Sequence, residues 1–357
     1  MAIKVLVIDA STAICSQLTE IINGAPDLHV VGATPDPIAA IEMIKSLHPD
    51  VLTLDIELQK MDGLEFLRRL MKLQPLPVVM ISTLTEKGSE IALRALELGA
   101  VEVLTKPRKQ NPSLLASYSK EVREKIRAAH SARLKPPAPL TADRVTAGVH
   151  SNLPSLPLSA RTLSEKLIAI GASTGGTEAI KEVLSGLPAQ VPGIVIVQHM
   201  PKTFTASFAK RLDSLSQVHV VEAKGGEHIE PGHAYLAPGH SHLLVRMGAS
   251  GYVTELSQSD PVNHHRPAVD MLFGSVAALL RNNAIGVILT GMGKDGAQGL
   301  LKMRQAGAWT IGQDQDSCVV YGMPREAAQV GAIDEVVALS DVSECIMSRL
   351  RDFDRRG

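Results

Sequence analysis

The sequence predicts an α/β chain built as two doubly wound parallel-sheet domains, and three observations carry that prediction. Short β-branched apolar runs alternate with amphipathic stretches along nearly the whole chain. A proline-rich segment of different composition divides the alternation into two blocks. Polar residues with usable chemistry fall directly after the apolar runs, at the strand ends where doubly wound sheets collect function.

Bulk properties narrow the class further. A length of 357 residues suits two domains, each able to bury its own core. A hydrophobic content of 45% and a formal charge of -1 give no global field that would draw the chain to nucleic acid or acidic lipid. Cys15, Cys318 and Cys345 lie far apart and form neither a disulfide framework nor a zinc motif. The opening MAIKVLVIDA has only a brief apolar run before Asp9, too short for a signal peptide. No run approaches the ~18 apolar residues of a transmembrane helix. The expected location is the cytoplasm.

The first domain is read at 1–129. Strands are expected at Ile3–Ile8, His29–Gly32, Val51–Leu54, Val78–Ile81 and Val101–Leu104. Between them, Ile14–Ile22, Ile38–Leu47, Leu64–Met71 and Ser89–Leu98 carry apolar residues three and four apart, the spacing of helices packed on a sheet, and Leu114–Arg127 reads as a closing helix. Asp9, Asp55 and Ser82 follow the first, third and fourth strands, and Lys106 the fifth. Two acids can hold a divalent cation, and a lysine can neutralise a phosphoryl group.

Residues 130–162 contain five prolines after His130, few large apolar residues and no period, and are expected to form an extended connection. The second domain is read at 163–350. Its strands are expected at Lys166–Ile170, Gly193–Gln198, Val218–Glu222, Ala284–Thr290 and Trp309–Gln313. Helices are expected at Glu178–Ser185, Thr203–Ser214, Asp270–Arg281, Ala297–Gln305 and Pro324–Val330. An antiparallel, hairpin-rich excursion is expected at His233–Thr254, with Ala234–Leu236 and Ser241–Arg246 as strands.

Three strand ends of this half carry distinctive residues. Ser173 lies in GASTGG, a turn between the strand that breaks at Gly171 and a helix, where free N–H groups could meet an anion. His199 follows GIVIVQ directly, and Asp295 lies in TGMGKDG after AIGVILT. A serine, a histidine and an aspartate converging in one crevice make an acyl-transfer set, in which His199 takes the Ser173 proton and Asp295 orients the imidazole. Two other readings compete. GASTGG approaches the dinucleotide fingerprint, but Ser173 stands where the middle glycine lets backbone approach a pyrophosphate, and the next strand ends in Gln198-His199 instead of an acid. Gly171 to Gly175 also fits G-x-S-x-G, but the α/β-hydrolase order is Ser, acid, His, whereas here it is Ser, His, Asp.

The motifs VLVIDAS, TLDIELQKMDGLEFL, VVMISTLTEKGS and ALELGAVEVLTKP resemble a response-regulator receiver domain, which has a flavodoxin-like fold. That resemblance implies Asp55 as phosphoacceptor, Ser82 as switch hydroxyl, Lys106 as phosphate-binding lysine, and Mg²⁺ held by Asp9 and Asp55. Ala10 stands where the family usually has a second acid that reaches the metal, and Val103 replaces an aromatic often used in the switch; Glu57 is the nearest substitute acid. The motifs IGASTGGTEAI, VIVQHMP, AYLAPGHSHL, DPVNHHRPAVDMLF, VILTGMGKDGAQGL and GAWTIGQDQDSCVVYGMPREA resemble the chemotaxis protein-glutamate methylesterase (CheB) family. This second resemblance implies Ser173 as nucleophile, His199 as base and Asp295 as orienting acid, with no catalytic cofactor. It further implies an oxyanion pocket shaped by the Gly171–Gly176 turn and by Gly291, Met292 and Gly293, with Thr174 assisting. The expected substrates are methylated glutamates, and also glutamines, of chemoreceptors, with a chemotaxis histidine kinase as phosphodonor.

The remaining histidines offer a sharper alternative. His240 and His242 could share a strand face and bind a metal, but no Cys or acid spacing completes a set. They are read instead as polar lining of the crevice, with His264, His265 and Arg266 at its rim and Arg266 facing acidic substrate. A different class remains open at this level: a docking module using both domains without catalysis.

Overall fold

The computed structural model describes residues 2–82, 86–106, 112–134 and 157–356. The expected extended connection therefore lies, over 135–156, outside the described residues.

The first sheet follows the predicted alternation. Its elements are β1 (Ile3–Ile8), α1 (Thr12–Asn23), β2 (Leu28–Thr34), α2 (Pro37–Leu47) and β3 (Val51–Asp55). Then come α3 (Gly63–Leu73), β4 (Val78–Ser82), α4 (Glu86–Glu97), β5 (Glu102–Thr105) and α5 (Pro112–His130). Helix starts are written locally: Ser11, Asp36 and Asp62 each accept a backbone N–H of the first turn, and Pro37 sits where its missing N–H is harmless. The strand order is β2-β1-β3-β4-β5, all parallel. The chain moves out to β2 on one side of β1 and returns to β3 on the other, so a crevice opens above the carboxyl ends of β1 and β3.

The second block comprises α6 (Ala160–Glu165), β6 (Leu167–Ala172), α7 (Gly176–Ser185), β7 (Gly193–Gln198), α8 (Lys202–Leu215), β8 (His219–Glu222) and β9 (His233–Leu236). It continues through β10 (His242–Gly248), β11 (Gly251–Ser257), α9 (Val269–Leu280), β12 (Ala284–Ile288) and α10 (Ala297–Gln305). It closes with β13 (Trp309–Gln313), α11 (Met323–Gln329), β14 (Glu335–Val337) and α12 (Val342–Arg356). Seven strands form one parallel sheet in the order β14-β13-β12-β6-β7-β9-β8. β6, β7 and β12 are buried throughout, as strands covered on both faces must be. The order reverses at β6, with β7 on one side and β12 on the other, and this is the second crevice.

Three local expectations change. β9 does not belong to the antiparallel excursion; it joins the main sheet in parallel with β7 and β8, and the hairpin is β10 with β11. Gly171 does not end β6, which runs on to Ala172; a Cβ at 171 would fall 2.2 Å from Val269 Cγ1, so glycine there lets α9 lie directly on the sheet. Leu163 is not the natural edge of the second block, because Ser159 and Thr162 both hydrogen-bond Asp354 of α12 and α6 packs with that block.

The two blocks touch through α4, β5 and α5 of the first and α7 and α8 of the second. Leu93 and Leu96 of α4 join the core around α7, and Phe204 and Met200 join the core beneath α3 and α4. Ser89 Oγ donates to Thr203 O at 2.7 Å, and Arg211 pairs with Glu97 at the edge of the seam.

Candidate active site

β6, β7 and β12 deliver the three residues. Ser173 follows β6 and is 7% exposed. Its N–H donates to Thr290 O at 3.0 Å, and its carbonyl accepts from Gly176 N at 2.7 Å, closing a tight turn into α7. Gly175 holds that turn with φ +76°, in the left-handed region that favours glycine. His199 continues β7, its N–H donating to Ala172 O at 3.1 Å. Gln198 ties the two strand ends together, donating from Nε2 to Ser173 O at 2.8 Å and to His199 O at 3.2 Å.

His199 Nε2 lies 2.8 Å from Asp295 Oδ2, and both side chains are buried. Asp295 takes three further donors: Val269 N at 2.7 Å, Asp270 N at 3.1 Å and Asn263 Nδ2 at 2.9 Å. Val269 and Asp270 open α9, so its N-terminal dipole also favours the anion. Burial works against the charged carboxyl, but hydrogen bonding to His199, its charge, and the Asn263 and Val269 donors together bring Asp295 down to about 2. An ionised Asp295 can only accept, so the proton it binds sits on His199 Nε2. The other ring nitrogen, Nδ1, is buried and has no hydrogen-bond partner among the described residues, which leaves it as the basic atom of the pair.

His265 stacks on His199 with ring centroids 3.7 Å apart and planes 11° from parallel. Burial, then the neighbouring His199, push its imidazole down to about 3, so it stays neutral. The sequence places His265 at the rim, and its half-buried ring lies flat on that of His199. His264 and Arg266 are exposed, and Arg266 Nη1 donates to Gln258 O and Ser259 O at 3.2 Å each. His242 is not crevice lining: it is fully buried, bonded through Nε2 to Asp260 O and accepting at Nδ1 from Ala268 N. His240 Nδ1 lies 2.7 Å from Ser241 Oγ.

Of the expected oxyanion residues, Gly291 packs against the nucleophile, where an added Cβ would fall 2.8 Å from Ser173 Cβ. Its N–H is already committed to Val320 O at 3.1 Å. Met292 and Gly293 donate to no backbone carbonyl among the described residues, and Gly293 turns the loop with φ +87°. The Thr174 hydroxyl points away to the first block, where it donates to Glu102 Oε1. Lys125 Nζ donates to the other oxygen of Glu102 at 2.6 Å. Glu102, Lys125, Ser173, His199 and Phe204 line one narrow cleft.

The first crevice collects Asp9, Asp55 and Lys106. Asp9 and Asp55 are fully buried. Lys106 Nζ donates to Asp55 Oδ2 at 2.6 Å and stands 3.6 Å from Asp9 Oδ2. Burial, then the Asp55 charge, raise the Asp9 carboxyl above its ordinary value. Asp9 Oδ2 makes no hydrogen bond among the described residues. Glu57 is exposed and contributes its backbone N–H to Asp55 Oδ1, not its carboxylate. No three His, Cys, Asp or Glu side chains gather to hold a metal among the described residues. Ser82 closes β4 opposite Thr105; its side chain lies outside the described set.

Signals for Asn263, Gln198 and Glu102 as site residues were missing from the sequence, because each acts through another residue. No described helix is long and apolar enough to cross a membrane.

Both blocks of the chain match known proteins. Residues 168–346 match the family model described as CheB methylesterase, and residues 5–117 match the response regulator receiver domain. The chain is 57% identical over 98% of its length to a protein from Nitrosomonas europaea named protein-glutamate methylesterase/protein-glutamine glutaminase, covering 96% of that protein. A protein from Dechloromonas aromatica, named protein-glutamate methylesterase/protein-glutamine glutaminase 1, is also 57% identical, covering 96% of this chain and 97% of the relative. Among solved structures, the CheB methylesterase catalytic domain of Thermotoga maritima is 40% identical with a TM-score of 0.51, covering 52% of this chain and 98% of that one.

Proposed function

This chain belongs to the CheB methylesterase family, and on that premise we propose that Ser173, His199 and Asp295 are the catalytic triad of a protein-glutamate methylesterase that also deamidates glutamine. The observation that carries this reading is the His199 Nε2–Asp295 Oδ2 bond, which leaves Nδ1 without a partner among the described residues while Ser173 and His199 line one cleft.

The chemistry follows from which nitrogen is free. His199 Nδ1 removes the Ser173 hydroxyl proton as Oγ attacks the ester carbonyl carbon of a glutamate methyl ester. Asp295 stabilises the imidazolium that forms. The tetrahedral oxyanion is met by N–H groups of the Met292–Gly293 loop, with Gly291 keeping that loop close to Ser173. Protonated Nδ1 passes its proton to the methoxide, methanol leaves, and a glutamyl ester of Ser173 remains. Water, deprotonated by Nδ1, then attacks this ester and releases the glutamate carboxylate and free Ser173. With glutamine the same steps expel ammonia. No step needs a cofactor.

The substrates are glutamyl side chains of chemoreceptors, and the chain works in the cytoplasm. The receiver covers the cleft with Glu102 and Lys125 and gates it. Asp55 accepts a phosphoryl group from the chemotaxis histidine kinase, Lys106 neutralises it, and Ser82 supplies the switch hydroxyl. Asp9 Oδ2, which accepts no hydrogen bond among the described residues and has only the Lys106 charge at 3.6 Å, fits Mg²⁺ beside Asp55, since that ion takes one or two carboxylates and completes its shell with water and phosphoryl oxygens. Asp9 and Asp55 would hold it, and its charge would offset that of the phosphoryl oxygens.

Methanol release from methylated receptor fragments by wild type and Ser173→Ala tests the central assignment. Equal rates would defeat it.

A further inference from the structure

We propose that Asn263 is a positioning residue for the triad, its carboxamide holding the Asp295 carboxylate in register with His199 by bridging it to Asp270. This rests on the triad reading above. Asn263 Nδ2 donates at 2.9 Å to Asp295 Oδ1 and at 2.8 Å to Asp270 Oδ2, so one neutral NH₂ group uses both hydrogens on two carboxylates. Asp270 is in turn fixed by Gly299 N at 2.6 Å, on α10. The acid that faces His199 is therefore tied to two helices through a single side chain from a loop.

Two features of Asn263 suit it to this task. Its φ of +52° lies in the left-handed region, which asparagine tolerates better than other residues with a Cβ. The backbone bend turns the carboxamide back under the site. Its charge also matters. Asp295 and Asp270 repel one another, and burial, then that repulsion, contribute to raising Asp270 above its ordinary value. A lysine or arginine here would attract Asp295 away from the imidazole, and an apolar side chain would leave two buried acids face to face. A neutral double donor holds both while leaving the negative charge for His199.

The same loop contributes His265, whose ring caps His199 from one face, while Asn263 fixes the acid that bonds its edge. The ionisable groups facing the pair are Asp270 from α9, His264 and His265 from the loop, and Lys125 from the receiver. None of their side chains donates a hydrogen bond to Asp295, and Asp270 reaches it only through its backbone N–H, so none replaces the Asn263 carboxamide.

The test uses the full chain and two variants. Asn263→Gly keeps the positive-φ backbone and removes the carboxamide; Asn263→Asp keeps the shape and loses both N–H donors. Hydrogen bonds to charged groups of this kind support a fall in kcat of about 10- to 100-fold, with KM nearly unchanged. The acid limb of the pH–kcat profile should also move to higher pH in Asn263→Gly, because an Asp295 without its donor is more basic and holds the proton on His199 more tightly. A merely structural role would lower the active fraction without moving that limb. Wild-type kcat together with an unmoved limb in Asn263→Gly would overturn the proposal while Ser173→Ala stays inactive. Equal methanol release by Ser173→Ala and wild type would instead overturn the triad reading beneath it.

Discussion

Replacing Glu102 by alanine should switch the esterase on without any phosphoryl group. Glu102 is 7% exposed and uses one oxygen for the Thr174 hydroxyl and the other for Lys125. Losing it costs the docked arrangement twice: Thr174 loses its acceptor, and the largely buried Lys125 ammonium loses the acid that keeps its pKa above the ordinary lysine value against the opposing effect of burial. Glu121 nearby offsets part of the second loss through its charge. A single hydrogen bond to a charged group contributes about 1.5–3 kcal/mol, and each ~1.4 kcal/mol shifts an equilibrium tenfold. The docked-to-open ratio should therefore fall by roughly 10- to 100-fold.

The assay is methanol release from methylated receptor fragments by the unphosphorylated chain. A fragment of residues 157–357 sets the ceiling, and it begins at Pro157 because Ser159 and Thr162 anchor α6 to Asp354. Glu102→Ala should rise about tenfold or more toward that ceiling. Glu97→Ala, which removes only the half-exposed pair with Arg211 at the edge of the seam, should rise by no more than about fivefold, since exposed pairs contribute ~0–1 kcal/mol. A Glu102→Ala chain as slow as wild type, beside a fast fragment, would refute the role given to this contact. A fragment no faster than the full chain would refute gating itself.

Other outcomes follow from the same geometry. Asp295→Asn should lower kcat by on the order of 10⁴-fold, measured on the 157–357 fragment, because an amide at that position reverses which nitrogen of His199 is protonated. Acetyl phosphate with Mg²⁺ should label wild type and leave Asp55→Asn unlabelled; equal labelling would remove Asp55 as acceptor. His265 has a folded pKa of about 3, below its ordinary value. Its unfolded form therefore gains a proton first as pH falls, so stability should decline from roughly pH 6.5 downward, and His265→Gln should flatten that slope in thermal melts. Gly171→Ala should destabilise the second block by about 1–3 kcal/mol in denaturant melts, because the new methyl meets Val269 and must push α9 off the sheet.

Much of this was legible before the fold was known. β7, β13 and α10 end where their apolar patterns end, and Ser173, His199 and Asp295 could be read because strand ends of doubly wound sheets project residues into a shared crevice. The losses share one cause. Gly171 reads as a break, but its real constraint is a side chain of α9 roughly a hundred residues later. His265 reads as rim because nothing near it in sequence announces the ring of His199. Asn263 and Glu102 act only by bonding another residue's side chain. Gly291 is read by resemblance as shaping an oxyanion pocket, and only the fold shows that its N–H is paired with Val320 and its α-carbon packs on Ser173.

Under the proposed gating, the coupling of the two crevices turns on one strand. Among the described residues β5 is an edge strand, hydrogen-bonded to β4 alone. Glu102 begins it, and Lys106 follows its last residue. Those positions are four residues apart, about 13 Å along an extended chain, yet one holds Asp55 and the other holds Thr174 beside Ser173. A phosphoryl group on Asp55 would offer Lys106 a stronger anion than the carboxylate it now bonds, and would draw on the end of that strand. With a single neighbour to shear against, an edge strand yields more readily than a central one, so its far end is where the pull can be felt. By this proposed route the receiver would need no long path of coupled residues to reach the esterase. It needs the buried acid at the start of β5, which the receiver pattern leaves unmarked and which this chain has turned toward its second domain.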